Sequence, residues 1–139
     1  MNEDALARVD LFSGLSKKEL QFLTNSCQER TYTAGSTLFA QGDAGVGLYI
    51  VISGKVRIIH KSNPEADEEE LRVLGPGEVI GEMALLDDLP RSASAIAIDD
   101  VKVLLLPVWE FRTILRNHPD ITLNLLSVLS RRLRKVEAE

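Results

Sequence analysis

Leu48-Tyr49-Ile50-Val51-Ile52-Ser53-Gly54-Lys55-Val56-Arg57-Ile58-Ile59 holds two β-prone runs with a Ser-Gly turn between them. β-Branched and aromatic side chains suit a pleated strand, and glycine marks where the chain turns. The same grammar continues outward in both directions. Upstream, Tyr32, Leu38 and Phe39 lie in short β-prone segments around Ala34-Gly35. Downstream, Leu71-Arg72-Val73-Leu74 ends at Gly75-Pro76-Gly77, Ser94-Ala95-Ile96-Ala97-Ile98 alternates, and Val101 to Leu106 is mostly apolar. Short strands at roughly ten-residue spacing, separated by Gly, Pro and Asp turns, predict a β-sandwich or jelly-roll barrel over residues 30–106.

Helices are predicted on either side. Ser16-Lys17-Lys18-Glu19 is a capping box, followed by Leu20, Leu23 and Cys27 at helical spacing, so a helix is expected from 17 to 28. A weaker one is expected over Asp4 to Val9. Pro107 fits a first-turn position, with Trp109, Phe111, Ile114 and Leu115 as an apolar face. Asn117-His118-Pro119 breaks that helix, and Pro119 opens another. Ile121, Leu125, Leu129, Leu133 and Val136, joined by Leu126, mark a face of this last helix, expected to run for about 18 residues, or ~27 Å. The face is too wide for a lone surface helix, so it is expected to pack on the barrel and on a second copy or another partner. The chain thus reads as one mainly β domain: an N-terminal helical segment (1–29), the jelly roll (30–106) and two C-terminal helices (107–139).

Composition narrows the classes of function. The chain has 139 residues, 45% of them hydrophobic, and a formal charge of −5. No apolar run approaches the ~20 residues needed to span a bilayer, and the acidic start Met1-Asn2-Glu3-Asp4 is unlike a signal peptide. The single Cys27 makes no internal disulfide, which fits a reducing, cytoplasmic compartment. Net negative charge disfavours non-specific nucleic-acid binding. The basic cluster Arg131-Arg132-Leu133-Arg134-Lys135 sits where it complements a helix dipole. The acidic stretch 63–70 reads as a solvated hairpin loop, since it lacks the alternating ligands and turn glycine of a calcium loop. His60 and His118 have no partners at metal-ligand spacing, and no Gly-x-Ser-x-Gly elbow appears.

The chemistry concentrates in Gly81-Glu82-Met83-Ala84-Leu85 and, after a short acidic loop, Pro90-Arg91-Ser92-Ala93. One carboxylate and one guanidinium stand nine residues apart around a small-residue turn. Arginine presents a planar fork that matches phosphate oxygens two at a time. A carboxylate accepts from a sugar hydroxyl, and backbone N–H groups of a small-residue turn approach phosphate closely. The residues alone equally allow an Arg91 merely paired with Glu82 or a loop acid.

This stretch resembles the phosphate-binding cassette of cyclic-nucleotide-binding domains, the family of the catabolite activator protein and the protein kinase A regulatory subunits. Thr33-Ala34-Gly35-Ser36-Thr37-Leu38-Phe39, Gln41-Gly42-Asp43, Leu48-Tyr49-Ile50-Val51 and Ser53-Gly54-Lys55-Val56 also fall where that family places its early strands and turns. The resemblance runs from about Leu11 to about Arg134.

It implies a double-stranded β-helix (jelly-roll) barrel and a non-enzymatic receptor whose ligand is cyclic AMP or cyclic GMP, with no cofactor and no metal. It implies that Arg91 takes the cyclic phosphate, that Glu82 accepts from the ribose 2′-hydroxyl, and that the Ala84 N–H bonds phosphate. Gly81, Met83, Ser92 and Ala93 complete the cassette. Ser92 leaves the choice of purine open, with cyclic AMP favoured over cyclic GMP. Val73 and Leu74 are candidate base or ribose contacts, or plain core. Arg132 falls where some bacterial relatives place a ligand-contacting arginine, while Leu133 or Val136 offers an apolar cap for the base.

In the family, binding closes the last helix over the base, and the break at 117–119 suits the same motion. The implied partners are the nucleotide, an unidentified effector protein or domain and a second copy through the last helix, with neither nucleic acid nor membrane insertion. The starting Met1 favours a stand-alone or N-terminal sensor, and the end at Glu139 precedes any helix-turn-helix. The rival readings are a transcription regulator reduced to its sensor half and a dimerisation scaffold with a vestigial pocket.

Overall fold

In the computed structural model, which describes residues 6–9, 12, 15–81 and 90–138, eight strands make two four-stranded antiparallel sheets. They are β1 (Gln28–Tyr32), β2 (Thr37–Phe39), β3 (Gly47–Ser53), β4 (Val56–His60), β5 (Glu69–Leu74), β6 (Val79–Ile80), β7 (Ser94–Ala97) and β8 (Val101–Pro107). One sheet has the order β1-β8-β3-β6 and the other β2-β7-β4-β5. The pairing of distant strands, β1 with β8 and β2 with β7, is the jelly-roll connection.

Two cores explain the two kinds of strand pattern. Strands β3 and β8 are central in their sheet and covered on both sides. Their Tyr49, Val51, Val103 and Leu105 meet the other sheet, together with Val56, Leu74, Ala95 and Ala97. Their Leu48, Ile50, Leu104 and Leu106 turn the opposite way, against Leu6, Phe12, Leu23, Phe111, Ile114, Ile121 and Leu125 of the helical layer. Alternate residues on a strand point to opposite faces, so a strand buried twice reads as an unbroken apolar run. Strand β5 lies at a sheet edge, and only its last residue, Leu74, is buried.

Helix α1 (Lys17–Ser26) starts on the expected capping box: the Glu19 N–H donates to Ser16 Oγ and the Ser16 N–H to Glu19 Oε1. Helix α2 (Val108–Asn117) and helix α3 (Pro119–Ala138) follow β8, broken at His118 as expected. Five details differ from the sequence reading. Helix α1 ends at Ser26 instead of 28, because Gln28 already pairs with Leu105 as the start of β1. Pro107 is the last residue of β8 and caps α2 in an extended conformation, because it still pairs with Gly47 in the sheet. Trp109 faces solvent, leaving Phe111 and Ile114 as the buried face of α2. The acidic hairpin loop is shorter than expected, since Glu69 and Glu70 pair with His60 and Ile59 as the start of β5. Helix α3 has 20 residues; Ile121 and Leu125 in its first half are buried, and Leu129 packs partly against the same core. Of the expected N-terminal helix, residues 4 and 5 lie outside the described residues.

Among the described residues, no helix is long and apolar enough to cross a membrane, and no group of three or more His, Cys, Asp or Glu is arranged to hold a metal.

Candidate functional site

Strand β6 was not legible in the sequence, being two residues long, yet it delivers the chain to the cassette. It pairs with β3 through Tyr49–Ile80 and Ile50–Val79, and Gly81 follows at once. Gly81 has φ +92°, a left-handed conformation that glycine adopts without steric cost. A Cβ there would also collide with Arg91 Nη1 and stand 2.9 Å from Arg91 Cζ. Both facts demand glycine at the head of the cassette.

At the other end of the cassette, Arg91 is 3% exposed. A buried cation needs compensation from hydrogen bonds or opposite charge. Backbone oxygens supply part of it: Nη1 donates to the Gly81 carbonyl at 2.7 Å and Nη2 to the Gly47 carbonyl at 2.8 Å. Aromatic faces supply more. The guanidinium carbon lies 4.2 Å from the centre of the Phe39 ring and 5.7 Å from that of Tyr49, both inside the range of a cation–π contact. The two rings are 5.5 Å apart and tilted by 44°. Burial pushes the Tyr49 phenol above its ordinary value, and Tyr32 adds to this, while the Arg91 charge pulls the other way.

The Arg91 backbone is held as firmly as its side chain. Its N–H donates to the Asp43 carbonyl at 2.7 Å, and its carbonyl accepts from the Gly42 N–H at 2.9 Å. The loop making these bonds is itself closed by the Ala40 N–H donating to Asp43 Oδ2 at 2.9 Å, and the Gln41 N–H donating to Ser94 Oγ at 2.8 Å. Gln41-Gly42-Asp43 therefore has a physical task, which is to place residue 91. Gly47 has its own reason to lack a side chain, since a Cβ would stand 2.5 Å from the Leu106 oxygen across the β3–β8 pair.

The predicted site residues separate into groups. Gly81 and Arg91 are brought into direct contact. Leu74 and Ala93 are buried in the adjoining core beside Tyr49 and Ile80. Ser92 is exposed, and Val73 lies on the outer face of β5, 44% exposed. Glu82, Met83 and Ala84 lie outside the described residues, as does the side chain of Arg132, whose backbone belongs to α3. Phe39, Gly47 and Tyr49 join the site only in the folded chain; in the sequence an aromatic on a predicted strand reads first as core. A cleft of about 460 Å³ bordered by Gln41, Lys61 and Asn63 contains none of the described candidate residues.

The arrangement is a fixed, planar, cationic hydrogen-bond donor at the end of a cassette opened by a glycine turn, a device suited to an anionic ligand. The comparisons agree in kind. The sequence profile of the cyclic nucleotide-binding domain matches residues 29–118, and the chain belongs to that family. It is 42% identical over 129 residues to the cyclic AMP receptor protein of Thermus thermophilus, covering 93% of this chain and 59% of the relative. It is 36% identical over 133 residues to a CRP-like cAMP-activated global transcriptional regulator of Mycobacterium tuberculosis, with coverages of 96% and 59%. Among solved structures, the sensor domain of the transcriptional regulator DNR from Pseudomonas aeruginosa superposes with a TM-score of 0.86 at 27% identity, covering 99% of this chain and 92% of that one. The chain thus spans about three fifths of the length of these two curated relatives.

Proposed function

We propose that residues 1–139 form one cyclic-nucleotide sensor domain, which takes cyclic AMP in preference to cyclic GMP and needs no cofactor. The observation that carries this reading is the buried Arg91 guanidinium, anchored to the glycine that opens the cassette. In the proposal, Arg91 binds the cyclic phosphate, assisted by the Ala84 N–H. Glu82 accepts from the ribose 2′-hydroxyl, and the Arg91 charge offsets its repulsion of the ligand. Gly81, Met83, Ser92 and Ala93 shape the cassette, with Leu74 behind it. Val73, which leaves the barrel on the outer face, has no place in the site. Arg132 approaches on α3.

No catalysis is proposed, since the chemistry is recognition and relay. Helix α3 repositions about the break at 117–119. The energy comes from differential binding, because only contacts made more strongly in one arrangement shift an equilibrium between two. The receiver is an effector protein or domain, or a second copy through α3. The reading that this is the sensor part of a longer transcription regulator draws support from the T. thermophilus and M. tuberculosis relatives, of which this chain matches 59%.

The test is titration calorimetry with cyclic AMP and cyclic GMP on this chain and on Arg91→Ala. Saturable binding, weakened at least about tenfold by the substitution, is expected, and the tighter nucleotide names the messenger. Absence of heat, together with absence of the thermal stabilisation that a ligand gives (about 2.7 kcal/mol at 100 times Kd), overturns the reading in favour of a vestigial pocket. DNA retention by the chain would count for a direct nucleic-acid role that its charge does not favour.

A further inference from the structure

We infer that Phe39 is a positioning residue for the ligand: its ring is the floor that fixes the plane of the Arg91 guanidinium, and phosphate affinity depends on the electron density of that ring. The inference rests on the phosphate role of Arg91 proposed above.

Four observations lead to it. The first is the 4.2 Å approach of the guanidinium carbon to the ring centre, the closer of the two aromatic contacts. The second is burial. At 3% exposure, water contributes little to holding the cation, so the negative face of a ring counts for more than it would at the surface. The third is continuity. Phe39 ends β2, and the next four residues are the loop whose Gly42 and Asp43 bond the Arg91 backbone in both directions. One five-residue segment thus grips the arginine at its main chain and at its head. The fourth is geometry. The bonds from Nη1 and Nη2 to the carbonyls of Gly81 and Gly47 lie in the guanidinium plane and fix where these groups point, while a surface beneath the plane bears on its tilt. A flat ring supplies such a surface. Bidentate recognition of phosphate depends on this tilt, because both N–H vectors must meet oxygens at once.

The Phe39 ring also packs partly against the inter-sheet core, so an aliphatic substitute keeps the burial and removes the π face.

The experiment is calorimetry with cyclic AMP and with its two phosphorothioate diastereomers, in which one or the other exocyclic oxygen is sulfur. The proteins are the full chain, Arg91→Ala, Phe39→Leu, Phe39→Tyr, and a series with mono-, tri- and pentafluorophenylalanine at position 39. Phe39→Leu is expected to bind cyclic AMP about tenfold more weakly (about 1.4 kcal/mol) and to compress the ratio between the diastereomers. Phe39→Tyr is expected to stay within about twofold of the parent. Fluorination keeps the ring and drains its face, so affinity is expected to fall stepwise along the series; this arm holds even where Phe39→Leu fails to fold.

Fluorinated chains that bind as the parent does overturn the inference. So does an equal loss for both diastereomers in Phe39→Leu, which marks a structural lesion. In either case Arg91→Ala remains weak and the proposed function stands. If the parent does not bind, or Arg91→Ala binds as the parent does, the proposed role of Arg91 fails first and the inference falls with it.

Discussion

The cassette end of the barrel and the far end of α3 are built on opposite plans. Among the described residues, Arg91 is held by four backbone hydrogen bonds, two to its head and two to its main chain, and is floored by two rings. Beyond Leu129, α3 carries Leu133 at 59% and Val136 at 69% exposure, with polar and charged neighbours. The difference matches the two tasks of the proposed sensor. A phosphate is recognised by geometry, so its donor is preorganised and little ordering is left to be done on binding. A relay must have two arrangements of similar energy, so its moving part cannot be locked into the same core.

The sharpest way to break the comparison is to remove its fixed point. Arg91→Ala is expected to weaken cyclic AMP binding by between ~30-fold and several thousandfold, because truncating one partner of a buried charged contact costs ~2–5 kcal/mol. Without ligand, the same variant leaves the carbonyls of Gly81 and Gly47 without the donors they have now, so a fall in Tm is also expected.

Within α3 the two halves should separate in stability. Ile121 and Leu125 are buried beside Phe111 and Leu48 in the helical core. Leu125→Ala is expected to cost ~2–5 kcal/mol in denaturant unfolding through the cavity that it leaves. Equal tolerance at Leu125 and Leu133 would erase the contrast.

Gly81→Ala tests the anchorage from the other side. The new Cβ both strains a backbone at φ +92° and meets Arg91 Nη1. Strain of ~1–3 kcal/mol is expected in stability, with a loss of affinity beside it, as the guanidinium must move. A variant that loses stability and keeps full affinity would show that the Gly81 carbonyl does not position the arginine.

The break between α2 and α3 has a smaller, pH-dependent tie. His118 Nδ1 lies 3.1 Å from Glu19 Oε2, joining the break between α2 and α3 to α1. The Glu19 carboxyl is held below its ordinary value of 4.5, first by the Ser16 backbone N–H that it accepts, then by the Ser16 side chain, with a lesser pull from His118. A carboxyl lowered by folding stabilises the fold above its ordinary value, and that contribution is lost as pH falls through the lower folded value. Tm of the parent should therefore decline on the acid side of pH 4.5, and Glu19→Gln should flatten that decline.

Much of this contrast is legible in the sequence, for physical reasons that differ by element. Strands β3 and β8 declared themselves because double burial writes an unbroken apolar run. The α1 cap is a local affair of Ser16 and Glu19, so four residues suffice to see it. The spacing of Gly81, Glu82 and Arg91 suggests a cassette, and of these the described residues Gly81 and Arg91 are in contact. What escaped was non-local. Pro107 has a fixed φ near −58° that serves a strand end as well as a first helical turn, and only pairing with Gly47 decides between them. The floor under Arg91 escaped for the same reason. Nothing near Phe39 in the sequence says that residue 91 will stack on it, because that contact exists only once β2 pairs with β7.

The smallest expected effect on stability separates relay from fold most cleanly. Leu133 makes little contact in this arrangement, so Leu133→Ala should leave the unfolding free energy of the isolated chain within ~0.5 kcal/mol. If α3 closes over the base, the same methyl groups are buried only in the bound state, and their loss should weaken cyclic AMP binding at nearly unchanged Tm. Each buried CH₂ contributes about 0.8 kcal/mol, so a several-fold change is within reach of calorimetry. A side chain that is silent in folding and audible in binding must belong to the closed state. If Leu133→Ala and Val136→Ala are both silent in both measurements, α3 does not cap the ligand with its apolar residues, and the relay must run through the barrel and the hinge.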